Sequence, residues 1–185
     1  MVPNLGPWCD GLGGGAFDTA SGFSLTAFRT SGDSTGIPII TASSGSTSQI
    51  NSGVLADPAS LPSPASDFTL ATTFNLSEGK LLPSPNFYNQ PVADIDVQPG
   101  NAISFAFSNT QLPAAAQVYC AAAITDANGG FAPILALHND VDSFSICTEK
   151  FGNHPMNLVV YKASADSESF DFSTCFPVKL QLVGV

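Results

Sequence analysis

Short segments in which apolar and hydroxyl-bearing residues alternate recur along this chain, and no segment sustains a helical period. Phe23-Ser24-Leu25-Thr26-Ala27 is one such segment, and residues 68–76, from Phe68 to Leu76, form a longer one. An extended backbone points successive side chains to opposite faces, so each segment has one face to bury and one to wet. Segments of this kind have to pair edge to edge. The pattern therefore predicts an all-β fold, a single compact antiparallel sandwich or barrel of about ten strands with long Ser/Pro/Gly-rich loops. A chain of 185 residues is long enough for one full hydrophobic core, and residues 1–185 read as a single domain.

The clearest hairpin is Ala93 to Val97, a turn over Gln98-Pro99-Gly100-Asn101, and Ile103 to Phe107, with Ile95, Val97, Ile103, Phe105 and Phe107 facing inward. Residues 117–124 mix alanines with Val118, Tyr119, Cys120 and Ile124. The turn signal at 126–130 and the apolar run Phe131 to Leu137 favour a strand there and a second hairpin. Residues 144–147, 158–161 and 176–182 supply further strands. Residues 41–67 are rich in Ser, Thr, Gly, Ala and Pro, which predicts surface loops with at most one short strand. Residues 1–22 read as a Gly-rich arm pinned by its cysteine.

The four cysteines, Cys9, Cys120, Cys147 and Cys175, contain no CxxC pair and do not cluster with the two histidines, which excludes zinc-site and thioredoxin-like spacing. They predict a disulfide-stapled extracellular protein. Of the three possible pairings, Cys147 with Cys175 is favoured because both border strand-like segments near the C-terminus, leaving Cys9 to tie the arm to Cys120.

Charged residues make up 11% of the chain, against about 25% in an ordinary soluble domain. Five basic residues stand against fifteen acidic ones, for a formal charge of −10. Such a surface repels nucleic acid and anionic membranes. No apolar run reaches transmembrane length, and no basic segment followed by an apolar stretch opens the chain. In a secreted protein this is the pattern of a mature form, with Met1 an added initiator.

Gly32-Asp33-Ser34-Thr35 has the look of a hydrolase nucleophile block, but neither His138 nor His154 has an acid three residues before it, so a turn is expected. Phe17-Asp18-Thr19-Ala20 resembles an aspartic-protease loop, yet Ala20 stands where glycine is required. Asp94 and Asp96 share one strand face. His138, Asp140 and Asp142 recur at every second residue, so an extended backbone would align them as a site for Ca²⁺ or a glycan; the competing expectation is a solvated turn. No cofactor other than Ca²⁺ is suggested. A glycosidase pair would have to draw on Glu78, Glu149 or Glu168, the only glutamates. Asn75-Leu76-Ser77 is an N-glycosylation sequon with Asn75 turned outward. Trp8, Phe87 and Tyr88 lie in loop-like segments, and Trp8 and Tyr88 are the candidates for stacking on a sugar ring.

Residues 23–32, from Phe23 to Gly32, followed by Pro38-Ile39 and Ala42-Ser43 are the first part of a wider likeness. It continues through Thr73-Phe74-Asn75-Leu76, Glu78-Gly79-Lys80-Leu81, Phe144-Ser145-Ile146-Cys147, Leu158-Val159-Val160-Tyr161 and Cys175-Phe176-Pro177-Val178. In this order of segments the chain resembles the small secreted fungal cell-wall proteins of the PhiA type. The resemblance implies a wall-associated structural or surface protein with no catalytic residues to transfer.

The leading expectation is thus a non-enzymatic protein of the fungal wall or surface whose partner is wall polysaccharide or another extracellular surface. A carbohydrate-binding β-domain is the second expectation. The third is an acidic-pH glycan hydrolase using an Asp/Glu pair.

Overall fold

A computed structural model describes residues 5–32, 35–44, 50–63, 68–84, 92–94, 97–108, 114–124, 132–151 and 153–185. Fourteen strands lie among them: β1 (Ala20–Arg29), β2 (Ile37–Ser44), β3 (Ile50–Ala56), β4 (Phe68–Ala71), β5 (Thr73–Ser77), β6 (Lys80–Ser84) and β7 (Val92–Asp94), then β8 (Asn101–Ala102), β9 (Ser104–Ser108), β10 (Tyr119–Ala122), β11 (Ile134–Leu137), β12 (Phe144–Phe151), β13 (His154–Tyr161) and β14 (Phe170–Val183). Two short 3₁₀ turns, Pro7–Cys9 and Pro58–Ser60, are the helical elements of the described residues. The fold is all-β and antiparallel.

The pairings close on themselves. Strand β1 pairs with β2, β2 with β3, β3 with β13, β13 with β12, β12 with β14, and β14 returns to β1. Closure leaves these strands without free edges over their paired stretches, the barrel solution to edge exposure. Strand β14 serves three partners, meeting β12 through residues 170–178, β1 through 178–183 and β11 at Gln181. Alternation sets the inward face: Phe23, Leu25 and Ala27 of β1 are buried between half-buried Ser24, Thr26 and Phe28. They join Ile39, Leu55, Phe105, Phe107, Phe144, Ile146, Val159, Val178, Leu180 and Leu182 in one core.

Both expected hairpins are present. Val92–Asp94 pairs with residues 105–107, and Val97, Ile103, Phe105 and Phe107 are all buried as the alternation requires; Ile95 and Asp96 lie outside the described residues. Gly100 takes φ +83° in the turn, and the Asn101 N–H donates to the Gln98 carbonyl. Tyr119–Ala122 pairs with Ile134–Leu137, and residues 125–131 lie outside the described residues.

The expectation for residues 41–67 is corrected. Strands β2 and β3 belong to the closed circuit, and Thr41, Ala42, Ser43, Leu55 and Ala56 are fully buried. Small residues are needed here because Phe107 packs directly on β3: a Cβ on Gly53 would lie 2.8 Å from its ring. The Ser43 hydroxyl meets its own need by donating to the Ser52 carbonyl at 3.0 Å. The segment 68–76 is also not one strand. It breaks at Thr72, where β4 leaves β2 and β5 takes up β1 and β6. The break changes the phase, exposing Leu70 while Ala71, Phe74 and Leu76 are buried. The arm gives way to β1 at Ala20 rather than after residue 22.

Candidate functional site

Both disulfides form as expected, Cys9 with Cys120 and Cys147 with Cys175. The first brings the arm onto the rim of the barrel beside β10, where Cys9, Ala16, Cys120 and Ala136 form a small core of their own. Trp8 then lies over the β5–β6 turn. A Cβ on Gly79 would stand 2.4 Å from its indole, and Gly79 has φ +77°, so both space and backbone demand glycine there. The indole Nε1 donates to Asp18 Oδ2 at 3.2 Å, and Asp18 Oδ1 accepts from the Thr19 hydroxyl. The protease-like Asp18-Thr19 pair is therefore spent on holding the tryptophan. Asp33 and Ser34 lie outside the described residues.

The His138 cluster meets Trp8 at the same place. His138 and Asn139 have φ +49° and +66°, a left-handed turn after β11 in place of the extended backbone that alignment of three side chains would need. Asn139 faces two carbonyls, and the network orients its amide so that nitrogen donates to Pro7 O (3.0 Å) and Trp8 O (2.7 Å). The His138 ring sits 5.7 Å from that of Tyr161. Pro7, Trp8, Gln117, His138 and Asn139 surround a hollow of about 220 Å³. Gln117 is held over the same turn, its amide donating to the Glu78 carbonyl at 3.1 Å.

Asp140 and Asp142 do other work. Asp140 Oδ1 accepts the Asp142 N–H at 2.8 Å, closing an Asx turn, and Asp142 lies 3.2 Å from the Lys179 ammonium. Among the described residues no group of three or more His, Cys, Asp or Glu is placed to hold a metal ion. Asp94 stands in β7, and Phe87 and Tyr88 lie outside the described residues.

A second hollow, about 490 Å³, opens where β12 meets the start of β14 and is lined by Glu149, Lys150, Pro155, Glu168, Phe170 and Asp171, among others. Glu149 lies between its cross-strand partners Met156 and Phe170, both buried. Its Oε2 is buried with no hydrogen-bond partner among the described residues. Burial pushes the Glu149 carboxyl above its ordinary range. Asp171 is held below its range by hydrogen bonds from the Ser173 hydroxyl (2.7 Å) and backbone N–H (3.0 Å). Two of the three glutamates thus come together, while Glu78 stays on the β5–β6 turn. Asp171 escaped the sequence reading; its Asp-x-Ser spacing is the local signal that marks such a turn.

No protein-family model matches the chain, and neither a curated protein nor a solved structure shows significant similarity to it.

Proposed function

We infer that the chain is a non-enzymatic extracellular protein of a fungal wall or surface, with wall polysaccharide as its partner. The observation that carries this reading is the rim assembly in which Cys9–Cys120 fixes Trp8 beside Gln117, His138 and Asn139. An indole edge with amide and imidazole groups around a shallow hollow suits a sugar, which presents apolar faces and hydroxyls together. Two disulfides fit an oxidising compartment. No helix of the described residues is long and apolar enough to cross a membrane.

The test is sedimentation with insoluble chitin and β-glucan, scored for wild type, His138→Ala and Gln117→Ala. Retention of wild type and loss of at least one variant from the pellet supports the rim as the contact. Equal retention of all three moves the contact elsewhere, and no retention of wild type removes polysaccharide as the partner.

One observation favours a second reading, an acidic-pH glycan hydrolase. Glu149 and Asp171 share a hollow, and their environments push one carboxyl up and the other down, the separation that acid and base roles require. Release of reducing ends from wall glycans near pH 4 by wild type and not by Glu149→Gln would establish it; equal rates would end it.

A further inference from the structure

Asn75 occupies the middle of β5 and begins the tripeptide Asn75-Leu76-Ser77. Phe74 and Leu76 are buried on either side of it, and Asn75 itself is half-buried on the other face. Across from it β1 carries an extra residue: Ala20 faces Leu76 and Phe23 faces Phe74, so Ser21 and Gly22 together stand opposite Asn75. Gly22 has φ +71°, and its N–H donates to Asn75 Oδ1 at 2.9 Å. On the other flank Asn75 pairs with Leu82 of β6. Thr19, Ser21, Asn75, Ser77 and Leu82 line a hollow of about 600 Å³ between these strands.

Among the described residues no hydrogen bond is made by Asn75 Nδ2, the atom that a glycan uses. Transfer of an oligosaccharide from a lipid pyrophosphate donor forms a bond between Asn75 Nδ2 and sugar C1. The C1–O bond breaks, its electron pair leaves with the pyrophosphate, and one Nδ2 proton passes to a base of the transferase. Oδ1 is unchanged and remains the acceptor for Gly22. Once the chain folds, that hydrogen bond fixes the plane of the substituted amide over the hollow.

We propose that Asn75 carries an N-linked glycan whose first N-acetylglucosamine seats in this hollow, with its apolar ring face on Leu82 and its hydroxyls toward Thr19 and Ser21. Seated there, the sugar holds down the bulge of β1. The inference rests on the extracellular reading above, and it assigns the hollow a covalently attached occupant.

The experiment uses full-length protein secreted from a eukaryotic host and trimmed by an endoglycosidase to one N-acetylglucosamine. The comparison is Ser77→Ala, which loses the sequon and keeps the Asn75–Gly22 hydrogen bond. Intact mass reports attachment, and amide exchange over residues 19–22 reports the seat. The expected result is one added sugar on wild type and exchange about fivefold slower than in Ser77→Ala. Absence of the sugar overturns attachment and seat together. A sugar present with equal exchange overturns the seat alone. Recovery of both disulfides in the secreted protein scores the extracellular reading separately.

Discussion

The Arg29 guanidinium lies 3.5 Å from the centre of the Phe176 ring, at the point where the first and last strands of the circuit meet. Arg29 faces Val178 in the ladder, and the Thr30 N–H donates to the Pro177 carbonyl one step beyond. The pair therefore guards the end of the β1–β14 seam. Arg29→Ala is expected to lower stability by about 0.5–1 kcal/mol in urea unfolding. An unchanged midpoint would show that the seam closes without it.

The two disulfides constrain loops of very different length. Cys9 and Cys120 are separated by 111 residues, Cys147 and Cys175 by 28. On the chain-entropy account they contribute about 5 and about 3.5 kcal/mol. Cys9→Ser with Cys120→Ser should then lower the thermal midpoint more than Cys147→Ser with Cys175→Ser. The reverse order would locate the stabilisation in the native packing around Cys147 and Phe170 rather than in the unfolded chain.

Gly79→Ala should loosen the arm. The added methyl would lie against the indole of Trp8, and φ +77° is a conformation alanine adopts at a cost, together about 1–3 kcal/mol. Trp8 is the sole tryptophan, so its emission reports the change directly. A red shift on substitution is expected, and an unshifted spectrum would mean the indole does not depend on that turn.

Much of the barrel was legible because its signals are local. The hairpin around Gly100 and the pairing of residues 119–122 with 134–137 follow from alternation and turn residues within a few positions of each other. Strands β2 and β3 were not, since Thr41, Ser43 and Gly53 have the composition of a loop. What makes them core is the bulk of Phe107, more than fifty residues along the chain from Gly53. The break at Thr72 is similar, because a change of partner leaves no trace in the alternation of 68–76. At the site, Trp8, His138 and Asn75 each stood out as residues. That Asn139 reaches the Trp8 carbonyl, or that Asn75 answers the bulge at Gly22, depends on chain crossings no local pattern encodes.

Acid should first stabilise the fold and then weaken it. The Glu149 carboxyl has a folded pKa above its ordinary value of 4.5, so the folded state takes up its proton earlier than the unfolded chain, and stability rises as pH falls toward 4.5. Asp171 has the opposite sign. Its contribution is present above its ordinary value of 3.8 and is lost as pH falls through its lower folded value. Thermal midpoints measured from pH 7 to pH 2 should pass through a maximum in the acid range, and Glu149→Gln should flatten the rising limb. A steep fall between pH 6 and 4 would contradict the assignment.

Strand β14 also sets the order in which this molecule can assemble. Ser24 finds its partner in Val183, and until residues 170–183 have left the ribosome neither β1 nor β12 has the neighbour that joins them. Contacts across such sequence distances form slowly, because the entropy of closing the long loop is lost before the contact repays it. Without residues 170–183 the borders of β1 and β12 that β14 occupies would be unpaired, and exposed strand edges of this kind favour edge-to-edge association.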